Sequence, residues 1–310
     1  MGISTFRSGP FTRPDQFGHW SSGRRDRVSV MRIALTGSSG KLGSVVAREL
    51  REQGHDVVGL DVVGERGPGF VSVELTDYGQ VIDALGGVDR SPRFDAVVHL
   101  GAIPAPGLVT DAATFHNNMT STFNVFWAAV RTGILRIVYA SSETVLGLPF
   151  DVPPPYIPVD EEYAPRPESV YSIVKTLEEQ LARELVRWHP DLSITALRFS
   201  NVMRPEDYAE FPSFDADATM RKWNLWGYID ARDGAQAIER ALEVAPAGFD
   251  NFIIAAADTV MSRPNAELVA EVFPGTPING DLGENDTLLS IHKARRLLGF
   301  DPQHSWRNEV

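Results

Sequence analysis

Tyr171 and Lys175 stand four positions apart in a strongly helical stretch, Glu168 to Trp188. On a helix that spacing is about one turn, so a phenol and an ammonium share one face. A free tyrosine titrates near pH 10 (about three units too high for a base at neutrality), and correcting this takes roughly 4 kcal/mol of phenolate stabilisation. A neighbouring cation supplies such stabilisation. Far upstream, Thr36-Gly37-Ser38-Ser39-Gly40-Lys41-Leu42-Gly43 follows the apolar run Met31 to Leu35. Glycines at that spacing allow a tight turn, a close backbone approach to phosphate and close helix–strand packing. The helix that follows offers free N–H groups to an anion. Gly37, Ser39, Gly40, Lys41, Leu42 and Gly43 are thus expected to cradle a pyrophosphate. The two motifs together imply hydride transfer between a nicotinamide dinucleotide and a carbinol, with Tyr171 carrying the hydroxyl proton.

Positioning these groups requires a particular scaffold. Short β-branched runs alternate with longer helical stretches from Met31 to about residue 200. Strands are expected at Ile33–Leu35, Asp56–Leu60, Phe94–Leu100, Leu135–Ala140 and Leu192–Leu197. Helices are expected at Lys41–Gln53, Tyr78–Leu85, Ala112–Arg131 and Glu168–Trp188. The strand runs are apolar throughout, as in a sheet covered on both faces. The pattern predicts an α/β fold: a doubly wound, mostly parallel, Rossmann-like sheet with a small C-terminal substrate cap. The expected division is a disordered extension at 1–30, a dinucleotide-binding domain at 31–200, and a mixed cap at 201–310. Within the cap, one segment (about 228–257) returns to the first domain. Pro149 to Pro167 holds seven prolines and reads as a loop bordering a site.

Asp61 closes the second strand, where a carboxylate accepts from ribose hydroxyls and repels a 2′-phosphate. This favours NAD over NADP, although Arg66 lies nearby. The chain of 310 residues has no cysteine, which excludes disulfides and thiolate chemistry, and no metal site is expected. Its net charge of −12 disfavours nucleic acid and anionic membranes as partners. No apolar run suits a membrane span and no secretory signal is recognisable, so a cytoplasmic location is expected. Arg204, Arg221 and Lys222 are basic residues of the cap, available either to a substrate anion or simply to solvent. Trp223 and Trp226 either wall the site or pack.

The glycine spacing resembles the extended short-chain dehydrogenase/reductases, the family of nucleotide-sugar epimerases and dehydratases. Further segments from Met31 to Val244 are similar. Glu74-Leu-Thr-Asp77 resembles the family's acidic contact to adenine, implying that role for Asp77. His99-Leu100-Gly101-Ala102 resembles its "HLAA" stretch, against which the cofactor lies. Asn117-Asn118 opens a match to "NVxGTxN", making Asn118 the structural asparagine. Tyr228-Ile-Asp230 resembles "YIHVDD" with Asp230 in place of His. Ser141-Ser142-Glu143-Thr144 resembles "SSxTVYG", implying that Ser142 bridges the reacting oxygen. The resemblance also implies that Lys175 holds the nicotinamide ribose and that Asn201, in Arg198-Phe-Ser-Asn201, contacts substrate. The family's dehydratases carry an Asp-Glu pair where this chain has Glu143-Thr144, which argues against dehydration. Glu143 is left either as an auxiliary acid–base or as a turn cap. The implied substrate is a sugar or sugar derivative, with a free uronate or aldose as the alternative to a nucleotide sugar. A family member that only binds the cofactor is a further alternative. A homodimer through the two long helices is the implied assembly, with Phe123, Phe126, Trp127, Leu177, Leu181 and Leu185 on their apolar faces.

Overall fold

The computed structural model describes residues 30–87, 92–244 and 246–309. The expected extension therefore lies, apart from Val30, outside the described residues. Among the described residues nine strands form in chain order: β1 (Arg32–Thr36), β2 (Asp56–Asp61), β3 (Phe70–Ser72), β4 (Ala96–His99), β5 (Arg136–Ser142), β6 (Ser193–Phe199), β7 (Val202–Met203), β8 (Ile229–Asp230) and β9 (Gly248–Ile254). Seven of them make one sheet in the order β3-β2-β1-β4-β5-β6-β9, every pairing parallel. The Rossmann-like expectation holds. The short pair β7-β8 stands apart.

The helices are α1 (Lys41–Glu52), α2 (Tyr78–Gly86), α3 (Asp111–Thr132), α4 (Val170–Trp188), α5 (Ala231–Val244), α6 (Asn265–Val272) and α7 (His292–Leu298). Contacts α2–α3 and α3–α4 build one covering layer; α1–α5 and α5–α7 build the other. Successive residues of β1 serve opposite layers: Ala34 joins the core under α3, while Ile33 and Leu35 join the core under α1 and α5. Each fully buried aliphatic side chain contributes about 1.5–3 kcal/mol, which explains strands without polar alternation.

Helix ends follow local chemistry. α1 runs out at Gly54 and α3 at Gly133, both in the left-handed region. α4 starts at a reciprocal cap: Ser172 N donates to Ser169 Oγ at 3.1 Å and Ser169 N donates to Ser172 Oγ at 2.8 Å. That cap fixes the helix start and puts Tyr171 in its first turn. β1 is the switch point, since the chain builds outward to β2 and β3 and then returns to β4 on its other side. Parallel sheets open a ligand crevice there, beyond the strand C-termini. Ser169→Ala is expected to lower stability by about 1 kcal/mol, read as a smaller midpoint in urea at unchanged slope.

Candidate active site

A cleft of about 970 Å³ lies at that switch point, at the upper end of the range for cofactor sites. Gly37, Gly40, Lys41, Leu42 and Gly43 line it, with Asp61 from β2 and Leu100, Gly101 and Ala102 beyond β4. The turn tolerates no side chain at its crossing points. Gly37 has φ +67°, and a Cβ there would sit 2.6 Å from Gly101 N. A Cβ at Gly43 would sit 2.0 Å from Gly37 O. No side chain caps α1, leaving its first-turn N–H groups facing the turn. This turn, packed too tightly for a side chain at Gly37 or Gly43, fits a dinucleotide's pyrophosphate.

Asp61 also braces the turn, accepting from Ser39 N at 3.0 Å and from Val63 N at 3.3 Å. Ser39 does not line the cleft; its hydroxyl donates to Val63 O. Asp77 also lies outside the lining, where Glu74 and Leu75 stand instead. It caps α2 by accepting from Gln80 N at 3.2 Å and Gln80 Nε2 at 3.0 Å. Those bonds, the Gln80 side chain first, hold its carboxyl below the usual range. Asn118 is buried behind the cleft and clamps the segment after β4: its Oδ1 accepts from Ile103 N at 2.8 Å and its Nδ2 donates to Ile103 O at 2.9 Å. Its neighbour Asn117 faces the cleft.

At the other end Ser142, Glu143, Tyr171, Lys175 and Asn201 share the cleft. Ser142 ends β5 and caps the following 3₁₀ turn, accepting from Thr144 N at 3.2 Å. The Lys175 ammonium lies 5.9 Å from the Tyr171 ring centre. It donates to Ala140 O and to Glu178 Oε2, both at 2.8 Å. Burial pushes the Tyr171 phenol up; Lys175 and Ser142 pull it down, and burial prevails. The lowering expected from the Tyr–Lys pair is therefore not supplied by the ammonium alone. Burial opposes the charge on Lys175 as well, but Glu178, Tyr171 and Glu179 together raise its pKa.

A buried polar chain continues from this lysine. Thr122 Oγ1 donates to Glu178 Oε1 at 2.9 Å and lies 3.1 Å from His99 Nε2; His99 Nδ1 lies 2.7 Å from Thr36 Oγ1. Thr36 Oγ1 accepts from Leu100 N at 3.1 Å and Gly101 N at 3.2 Å. Because the Thr122 hydroxyl proton goes to Glu178, His99 carries its proton on Nε2 and accepts at Nδ1. Burial first, then Lys175, lowers the His99 pKa to about 3, so it stays neutral. The sequence reading missed Glu178, although its place three residues after Lys175 on a helix was the available signal.

Glu143 is the other buried acid here, only 3% exposed. Asn224 Nδ2 donates to its Oε1 at 3.2 Å, the Ser200 hydroxyl and Asn201 N–H lie beside the carboxyl, and Oε2 is closed to solvent without a well-aligned partner. Burial raises its carboxyl to about 7 against the opposing pull of Ser200, Asn224 and Arg221. Arg221 is fixed elsewhere, stacked 5.1 Å over Phe214 and 5.0 Å over Trp223 and donating to Gly227 O. Lys222 pairs with Asp151 at 3.0 Å. Arg204 does not join the cleft lining: its Nη2 donates to Lys41 O at 2.7 Å and Ser44 Oγ at 2.8 Å, pinning the cap to α1. Trp223 walls the cleft, whereas Trp226 is buried and donates to Ala218 O.

A glycine turn at the switch point of a parallel sheet defines a dinucleotide-binding fold. Residues 33–255 match the model of the NAD dependent epimerase/dehydratase family, and the chain belongs to that family. It is 29% identical over 183 residues to a UDP-glucose 4-epimerase of Bacillus subtilis, covering 55% of this chain and 52% of that protein. The chain thus spans about half the length of that relative. It is 27% identical over 280 residues to an L-arabinose 1-dehydrogenase (NAD(P)(+)) of Haloferax volcanii, covering 88% of this chain and 96% of the other. Among solved structures it resembles a short-chain dehydrogenase/reductase superfamily protein of Agrobacterium tumefaciens with bound NAD, at 25% identity and TM-score 0.66, covering 89% and 94%.

The raised carboxyl of Glu143 has a stability consequence. Its folded pKa of about 7 exceeds the ordinary 4.5, so the folded state holds the proton more tightly between those values. Stability therefore falls as pH rises through that window, by up to about 3 kcal/mol for the single group. Glu143→Gln removes the penalty. Its stability advantage over the unaltered protein is expected to widen by about 2–3 kcal/mol between roughly pH 5 and pH 8 in urea titrations. Parallel pH curves would refute the assignment.

Proposed function

We propose that this protein is an NAD-dependent oxidoreductase that moves a hydride at a carbinol carbon of a sugar or sugar derivative. The carrying observation is that Ser142, Tyr171 and Lys175 line the same cleft as the glycine turn. Gly37, Gly40, Leu42, Gly43, Asp61, Leu100, Gly101 and Ala102 would hold the dinucleotide, with Lys41 and Ser39 at the turn. When bound and oxidised, NAD supplies a hydride acceptor and a positive ring. Tyr171 takes the proton from the substrate hydroxyl as the carbon loses hydride, and returns it in the reverse direction. Lys175 stabilises the phenolate and reaches for the ribose. Ser142 Oγ bonds the reacting oxygen, and Asn201 orients the substrate. Asp77 and Asn118 act through the loops they brace.

Two outcomes of that chemistry remain within the family. A dehydrogenase releases the carbonyl product. An epimerase turns the intermediate over and reduces it again, the activity named for the Bacillus relative. Purified protein with NAD and a sugar panel distinguishes them: NADH accumulates in the first case, and an inverted isomer appears without net NADH in the second. Tyr171→Phe is expected to lower kcat by about 10²–10⁴-fold with NAD affinity unchanged. Undiminished turnover would remove Tyr171 from the reaction. A homodimer through α3 and α4 belongs to the same reading. Phe126 and Leu185 are buried within the chain, but Phe123, Ile173 and Leu177 are more than 40% exposed. Light scattering on the eluted protein is expected to give twice the chain mass.

A further inference from the structure

Six charged residues line the cleft: Lys41, Asp61, Glu74, Glu143, Glu168 and Lys175. Both cations are engaged, Lys41 with Asp207 at 2.5 Å and Lys175 with Glu178 at 2.8 Å. Of the basic groups just outside, Arg166 pairs with Glu168 at 2.7 Å and Lys222 with Asp151, while Arg221 lies against its two rings with its Nε buried and unpartnered. Among the described lining residues, no cation is left to meet an anionic substrate. What the substrate end does offer is a carboxyl, nine-tenths buried and with one oxygen unpartnered, on the residue after Ser142. Its field reaches the Tyr171 phenol.

We infer that the substrate is a neutral, hydroxyl-rich sugar that places a hydroxyl on the Glu143 carboxyl, and that this carboxyl turns away sugars bearing a carboxylate or a diphosphate at that end. The inference rests on the cleft being the hydride-transfer site proposed above. An anion is held either by a free guanidinium or ammonium or by a helix N-terminus, and the one helix N-terminus at the glycine turn is taken by the dinucleotide; an anion buried without either carries a large desolvation penalty. A hydroxyl both donates and accepts, so it pairs with Glu143 ionised or neutral. Burial leaves both forms populated near neutrality, and an anion can pair only with the neutral one. Trp223, Phe199, Val202 and Leu148 supply an apolar wall beside it, suited to the C–H face of a sugar ring. Asn224 fixes Oε1 from the cap and leaves Oε2, buried beside the cleft, without a partner.

The test uses the full chain with NAD at about pH 8, where Glu143 is mainly ionised. Neutral aldopentoses and aldohexoses, the corresponding uronates, and UDP-hexoses are each followed for NADH and for isomer exchange. The best neutral sugar is expected to exceed every anionic one by at least about ten-fold in kcat/KM. Glu143→Gln is expected to raise KM for that sugar and shrink the neutral-to-uronate ratio by about ten-fold or more; Glu143→Asp, which keeps the charge, retains the discrimination. A wild-type preference for a uronate or UDP-sugar, or a ratio untouched by Glu143→Gln, overturns the inference. A neutral-sugar turnover that survives Tyr171→Phe overturns the hydride-transfer role of Tyr171 and leaves the substrate class standing. Absence of turnover in all three classes overturns both.

Discussion

One buried ammonium sets the geometry at the Tyr171 end of the cleft. Lys175 leaves α4 with its head nearly closed to solvent, and it remains charged there because a carboxylate and a carbonyl meet it at hydrogen-bond distance. A buried pair is costly to break: removing one partner strands the other, at about 3–5 kcal/mol. The pair therefore ties three elements together. The carbonyl belongs to β5, both charged groups to α4, and the hydroxyl that completes Glu178 to α3. The chain of bonds then runs through His99 to the amides behind the glycine turn. The two motifs that first suggest chemistry are far apart in sequence, yet a continuous set of buried hydrogen bonds keeps them in register.

The neighbouring acid pair shows the contrast. Glu179, one residue on, receives a bidentate guanidinium from Arg198 at 2.9 and 2.8 Å and a hydroxyl from Ser141 at 2.8 Å. Its carboxyl stays below the ordinary range even though burial pushes it up. It fastens α4 to β6 and has nothing left to offer a ligand. Glu143 is equally buried and only half satisfied. Fully paired buried charges rigidify, while a half-paired one is retained at a cost that a ligand can relieve.

Much of this was legible in the residues. Unbroken apolar runs between helical stretches announced a covered parallel sheet, and β1, β2, β4, β5 and β6 fall within two residues of the expected places. The glycine turn and the Tyr171–Lys175 face were legible because their spacings have one dominant physical use. β3 was not: three residues between Gly69 and the acidic Glu74 carry too little pattern, and only pairing with β2 makes them a strand. α5 lies inside the segment (about 228–257) expected to return to the first domain, where no helix was assigned, although Ala235, Ile238, Ala241 and Leu242 do follow a helical stripe. Arg204 was open between a substrate anion and solvent, and Asp77 took its adenine role from the resemblance alone; in neither case does charge type tell a ligand from a clip. Both positions depend on partners, Ser44 and Gln80, that charge and spacing leave unspecified.

β6 and β9 are immediate neighbours in the sheet, joined along seven residue pairs, while more than forty residues of chain separate them. The stretch from Asn201 to Gly227 is thus an excursion hung between fixed posts. It is tied down along its length: Tyr208, Phe211 and Trp226 bury in the main core, β7 pairs with β8, and Arg204 clips it to α1. The two jobs therefore fall to separate pieces of chain: backbone pairing between β6 and β9 holds the floor, while the excursion lends Asn201, Val202 and Trp223 to the wall of the cleft.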